Sequence, residues 1–181
     1  MANTYDKLGT YTCGATDASI IFTGIPATYT DLVIRFSGQE PGTSGNYALG
    51  WIGFNGDTSG TNYARMWNYG IGATPQDAFA ATGNSVGYGL FVPTRENTYG
   101  TTPYRTSNQH IYISNYASSF NPKSANIVGG SIDAWTTIWQ QTYIAGISWS
   151  SASAITSIAL YAPGTYWGIY TTADLYGIKN T

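Results

Sequence analysis

The sequence predicts a single all-β domain, a sandwich or a barrel, and three observations carry that prediction. Apolar residues recur at every second position, and no helix-length segment shows a helical period. The residue types suit pleated strands and the turns between them: 25 Thr, 16 Tyr, 22 Gly and 16 Ser, against only six Leu. Turn signals break the chain every 8–15 residues or so, the spacing of a sandwich or barrel. The 181 residues fit one domain large enough to bury a proper core.

Taken in order, residues 19–23 read as a strand, and Pro26 precedes the next. There Leu32, Ile34 and Phe36 share one face, with Val33 and Arg35 on the other. Pro41-Gly42 and Gly45 mark a turn. In residues 47–54 the apolar face switches between Trp51 and Ile52. Gly50 and Gly53 there predict a bulge or a close backbone approach. Asn55-Gly56-Asp57, leading into Ser59-Gly60, predicts a tight hairpin or an Asx turn.

Residues 69–107 read as a long, loop-rich insertion, with a turn at 76–81 behind Pro75 and an apolar run at 86–92. Beyond it, Ile111 and Ile113 oppose His110 and Tyr112. Residues 126–133 form a strand. Tyr143, Ala145, Ile147 and Trp149 make the clearest stripe, followed by Ile158 and Leu160. Pro163-Gly164 interrupts the last pair of strands, and Ala173 and Leu175 close the series. Eight to ten short strands are expected in all.

Only 16 residues are charged, far below the roughly 25% of an ordinary domain. Net charge is −2, and the seven Lys and Arg form no run, which argues against nucleic acid as a partner. No apolar stretch approaches the roughly 20 residues needed to span a bilayer, and no apolar segment follows Met1. Membrane insertion and secretion by a signal peptide are therefore not expected. The one cysteine, Cys13, has no partner for an internal disulfide and no Cys or His neighbour for zinc.

Chemistry-bearing residues are sparse. His110 is the single histidine, and nothing like a nucleophile elbow accompanies it. The nine carboxylates fall mostly at turns and strand ends, where Asp bonds backbone amides, so no catalytic pair stands out. Residues 55–60 carry one Asp, too few for a calcium loop. Catalytic, cofactor-binding and metal sites are all expected to be absent. The surplus aromatics remain. Six Trp exceed what one small core holds, and Trp149 is expected inside it. Trp67 and Tyr69 beside the insertion, Trp135 and Trp139, and Tyr166 and Trp167 are the candidate contacts. Three readings stay open for them: core edge, subunit interface or glycan platform.

The C-terminal string DLYGIKNT, from Asp174 to Thr181, resembles the "LYGIKN" ending of small virion proteins of tailed phages, many of them cyanophages. Further pieces agree in order: IIFTGIPATYTDLVIRFSG from Ile20, GFNGDTSGTNYA from Gly53, HIYISNYA from His110, KSANIVGGS from Lys123 and AITSIALYA from Ala154. The resemblance covers most of the chain and is weakest at residues 69–100. It implies a jelly-roll-type antiparallel β-sandwich on the outside of a phage particle, assembled in the host cytoplasm. It implies no catalytic residue. The expected partners are the protein itself, as a homotrimer, and other virion proteins. A capsid decoration (cement) role would put it on the major capsid protein. A tail, baseplate or fibre-tip role would place it beside a tail protein and in reach of host-surface glycan.

Overall fold

Alternating side chains become strands wherever one face can be buried, and here they build two antiparallel sheets packed on each other. The computed structural model describes residues 5–14, 16–38, 48–71, 74–75, 79–82, 87–92, 105–133, 139–162 and 166–179. In chain order the strands are β1 (Tyr5–Thr12), β2 (Ser19–Phe22), β3 (Asp31–Gly38), β4 (Ala48–Phe54), β5 (Tyr63–Ile71), β6 (Thr74–Pro75) and β7 (Phe79–Thr82). Then come β8 (Gly87–Val92), β9 (Arg105–Ser114), β10 (Lys123–Asp133), β11 (Trp139–Trp149), β12 (Ile158–Tyr161) and β13 (Thr172–Ile178). The large sheet runs β1-β13-β3-β9-β10-β11-β5-β6, with β7 also paired to β5. The small one runs β2-β12-β4-β8.

Thirteen strands among the described residues exceed the eight to ten expected. β1 carries no aliphatic stripe because, among the described strands, it is an edge strand paired to β13, and it is bulged between Lys7 and Gly9. Of the turn expected at 76–81, residues 76–78 lie outside the described residues and 79–81 belong to strand β7, whose backbone pairs with residues 64–67 of β5. Pro75 sits opposite Gly70 in the edge strand β6, where its missing N–H interrupts no inner ladder.

The core lies between the sheets. Leu32, Ile34, Phe36, Ile111, Ile113, Ile127, Tyr143, Ala145, Ile147, Trp149, Ala173 and Leu175 enter it from the large sheet. Ile20, Phe22, Ile52, Phe54, Ile158 and Leu160 enter from the small one. Phe54 of the small sheet meets Trp149 of the large one at 5.6 Å between ring centroids. Val33 points to the outer face, as its parity requires, yet it too is buried, flanked in register by Tyr176 and Tyr112.

Residues 55–62 turn the corner between the sheets. Asn55 and Gly56 both adopt positive φ, 53° and 70°, and the Asp57 amide closes the turn on the Phe54 carbonyl at 2.9 Å. This is not a hairpin, since β4 belongs to the small sheet and β5 to the large one. The Asx turn does form: the Ser59 amide donates to Asp57 Oδ1 at 2.9 Å. The register between β4 and β8 shifts between Gly50 and Trp51, but the extra residue is Gly89 of β8, so β4 itself keeps plain alternation, with Ile52 and Phe54 inside and Trp51 outside.

Candidate interaction face

The outer face of β9, β10, β11 and β5 is built from four cross-strand rows. One row is Ser114, Ser124, Ser148 and Ala64, and the next is Tyr112, Asn126, Gly146 and Met66. Then follow His110, Val128, Ile144 and Asn68, and last Asn108, Gly130, Thr142 and Gly70. All sixteen positions are exposed or half-buried, and none is Asp, Glu, Lys or Arg. At its centre Val128 (53% exposed) and Ile144 (63%) are direct cross-strand neighbours, with Met66 (60%) on the diagonal. Apolar side chains at outward positions of a sheet otherwise faced with Ser, Thr and Asn form a patch of the kind that marks an interaction site.

Beside this patch, where β13, β3, β9 and β10 meet, lies a shallow depression of about 420 Å³. Asp174, Arg35, His110 and Val128 stand in one row along it, and Thr172, Ser37 and Asn108 in the next. Asp174 Oδ1 accepts hydrogen bonds from the Thr10 hydroxyl at 2.6 Å and from Lys7 Nζ at 2.9 Å. The Thr10 bond foremost, then Lys7, holds the Asp174 carboxyl below its usual value, and the same bond raises Lys7. The Arg35 guanidinium lies over the Tyr176 ring at 5.4 Å.

The aromatic candidates do not form one cluster. Trp67 pairs with Ala145 on the inner side of β5. It is half-buried against the core margin and lies under the Arg65 guanidinium at 4.7 Å. Tyr69 pairs with Tyr143, and Trp139 opens β11 opposite Asp133. Trp135 lies outside the described residues. Tyr166 is half-buried. Trp167 is 0% exposed and corrects the expectation of an open contact: its Nε1 donates to the Leu160 carbonyl at 3.1 Å and its ring packs on Phe36 at 5.1 Å. An indole with its one donor satisfied belongs in the core.

Sequence reading missed Val128 and Ile144, although the signal was present. Each stands at the polar-face parity of a strand whose other face is apolar. It also missed the Trp51–Tyr161 pair, stacked at 4.0 Å on the outside of the small sheet, with Gly53 leaving room for the Tyr161 ring.

Of the ending that carries the phage resemblance, residues 174–178 lie in strand β13 and Lys179 follows it, and several of them make specific contacts. Leu175 is core, and Tyr176 sits between Arg35 and the Tyr5 ring, 6.5 Å away. A Cβ on Gly177 would stand 2.4 Å from the Tyr29 ring. Lys179 lies 3.7 Å from Asp6 and over the Tyr29 ring at 5.1 Å.

No family model and no curated protein matches the chain. A solved structure of a protein of unknown function from Shewanella oneidensis MR-1 is similar at 9% identity over 99% of this chain and 77% of that one. Its TM-score of 0.23 carries no argument. Among the described residues no helix is long and apolar enough to cross a membrane, and no three His, Cys, Asp or Glu gather as metal ligands.

Proposed function

We propose that this protein is an exterior structural component of a tailed-phage virion. In this reading it is a jelly-roll-type sandwich that associates with copies of itself as a homotrimer and decorates the capsid by packing on the major capsid protein. The observation that carries it is the uncharged face of β9, β10, β11 and β5 with Val128, Ile144 and Met66 at its centre. Copies crowded on a particle meet through such a face with no like-charge repulsion and little desolvation cost. The phage address is supported by the string ending in LYGIKN.

Size shapes this reading. Seven residues at about 3.4 Å and four strands at about 4.8 Å give a face of roughly 450 Å². A stable interface buries about 800 Å² per partner. The face therefore supports weak association that symmetry and a second contact with the shell reinforce.

A second reading, a tail, baseplate or fibre-tip protein that binds host-surface glycan, draws on the polar depression beside the patch. Labelling native particles with a gold-tagged antibody to the chain separates the two. Gold over the head supports decoration, gold at the tail end supports the second reading, and bare particles overturn both.

A further inference from the structure

We propose that the depression between β13, β3, β9 and β10 is a saccharide site, with Arg35, His110 and Asn108 as the side chains that hold the sugar hydroxyls. The proposal rests on the glycan-binding reading and gives it a location away from the aromatic residues that the sequence singles out.

The chemistry of the groove selects the ligand class. A sugar presents vicinal hydroxyls, each both donor and acceptor, on a ring with an apolar C–H face. Arg35 supplies donors only, in a planar fork. The Asn108 amide and the His110 imidazole add further polar atoms, and the Thr172 hydroxyl can both donate and accept. Val128 borders the same groove and offers a ring face its apolar contact. Cross-strand neighbours stand about 5 Å apart, so one row spans the hydroxyls of a single ring.

Other ligands fit less well. An anion meets Arg35 but also the Asp174 carboxylate, its direct neighbour in register. A cation meets one carboxylate already engaged by Thr10 and Lys7. A phosphate backbone finds no second Lys or Arg among the described residues that line the groove.

The groove is also pre-organised. Its side chains stand on inner strands of the large sheet rather than on loops. Asp174 is fixed by its two bonds to β1, and the Arg35 guanidinium rests on Tyr176, so little side-chain freedom remains to be lost on binding.

The test is a titration of the ¹⁵N-labelled full chain with glucose, galactose, rhamnose, N-acetylglucosamine and glucuronic acid, followed by amide chemical shifts. At least one sugar is expected to move the amides of Ser37, Asn108 and His110. Asn108→Ala and Arg35→Ala are each expected to weaken that binding about tenfold while leaving the melting temperature within a few degrees. Both side chains are exposed, so both variants fold. Absence of shifts at the groove with every sugar, or wild-type affinity in both variants, overturns the proposal. Neither result bears on the particle-labelling experiment, so failure of the site and failure of the virion reading are told apart.

Discussion

The indole N–H of Trp149 donates to Asp57 Oδ2 at 2.8 Å, clasping the end of β11 to the corner at which the chain passes from the small sheet to the large one. The same oxygen accepts from Asn62 Nδ2 at 2.8 Å, and Oδ1 takes the Ser59 amide. Tyr63 completes the knot, donating to the Asp57 carbonyl at 3.1 Å and accepting the Phe54 amide at 3.0 Å. Burial by itself would raise the Asp57 carboxyl. The bonds from Trp149, Ser59 and Asn62 outweigh it and hold the group below its usual value.

That clasp is expected to make the fold acid-sensitive. A carboxyl with a depressed folded pKa binds its proton more readily in the unfolded chain. Its stabilisation is full above an unfolded value of about 3.9 and is lost as pH falls through the folded one. Asp57→Ala should cost about 2–4 kcal/mol at pH 7, and the difference from the wild type should shrink toward pH 3. Urea unfolding at the two pH values measures it.

Trp167 and Trp67 are expected to behave differently when truncated. Trp167→Ala opens a cavity beside Phe36 and should cost about 3–5 kcal/mol. Trp67→Ala removes a half-buried ring at the core margin and should cost about 1–2 kcal/mol. Thermal melts of the two variants decide this, and equal losses would contradict it.

Gly177→Ala should cost about 1–3 kcal/mol although it adds one methyl group, because the new carbon meets the base of the Tyr29 ring. Tyr29→Ala in the same chain should remove most of that penalty. A double-mutant cycle by chemical denaturation reads the coupling.

Cys13 is expected to be inert in the native protein. It is buried, and burial first, then Asp17, pushes its thiol up to about 12. A thiol-reactive chromophore should label it only when denaturant unfolds the chain, and rapid native labelling would refute this.

Ile144→Lys should abolish self-association and leave the fold intact. The side chain is solvated in the monomer, so stability should move by no more than about 0.5 kcal/mol. Against a neighbouring copy the lysine ammonium would have to be desolvated. Light scattering across a concentration series reads the oligomer.

Local physics was legible along the chain. A strand's side chains alternate because the pleat requires it, so the stripe at Tyr143, Ala145, Ile147 and Trp149 could be read from spacing, and all four are buried. Asn55-Gly56 announced its turn because both positions need positive φ, which Asn and Gly tolerate at least cost. Trp167 was not legible. It stands outside the strands, and its place is set by Phe36 and Leu160, one of them far away in sequence.

By itself, then, the sequence determined the all-β class, the parity of the main strands and the position of the sharpest turn, all of which depend on neighbouring residues. Only the tertiary structure decided that Asn55 to Asn62 is a corner between sheets, that Val33 is covered on the outer face, and that residues from β5, β9, β10 and β11 share one uncharged surface. The reason is physical. Alternation says which way a side chain points within its own strand. Strand order and register are set by what distant segments gain in burying one another, and no local period records that gain.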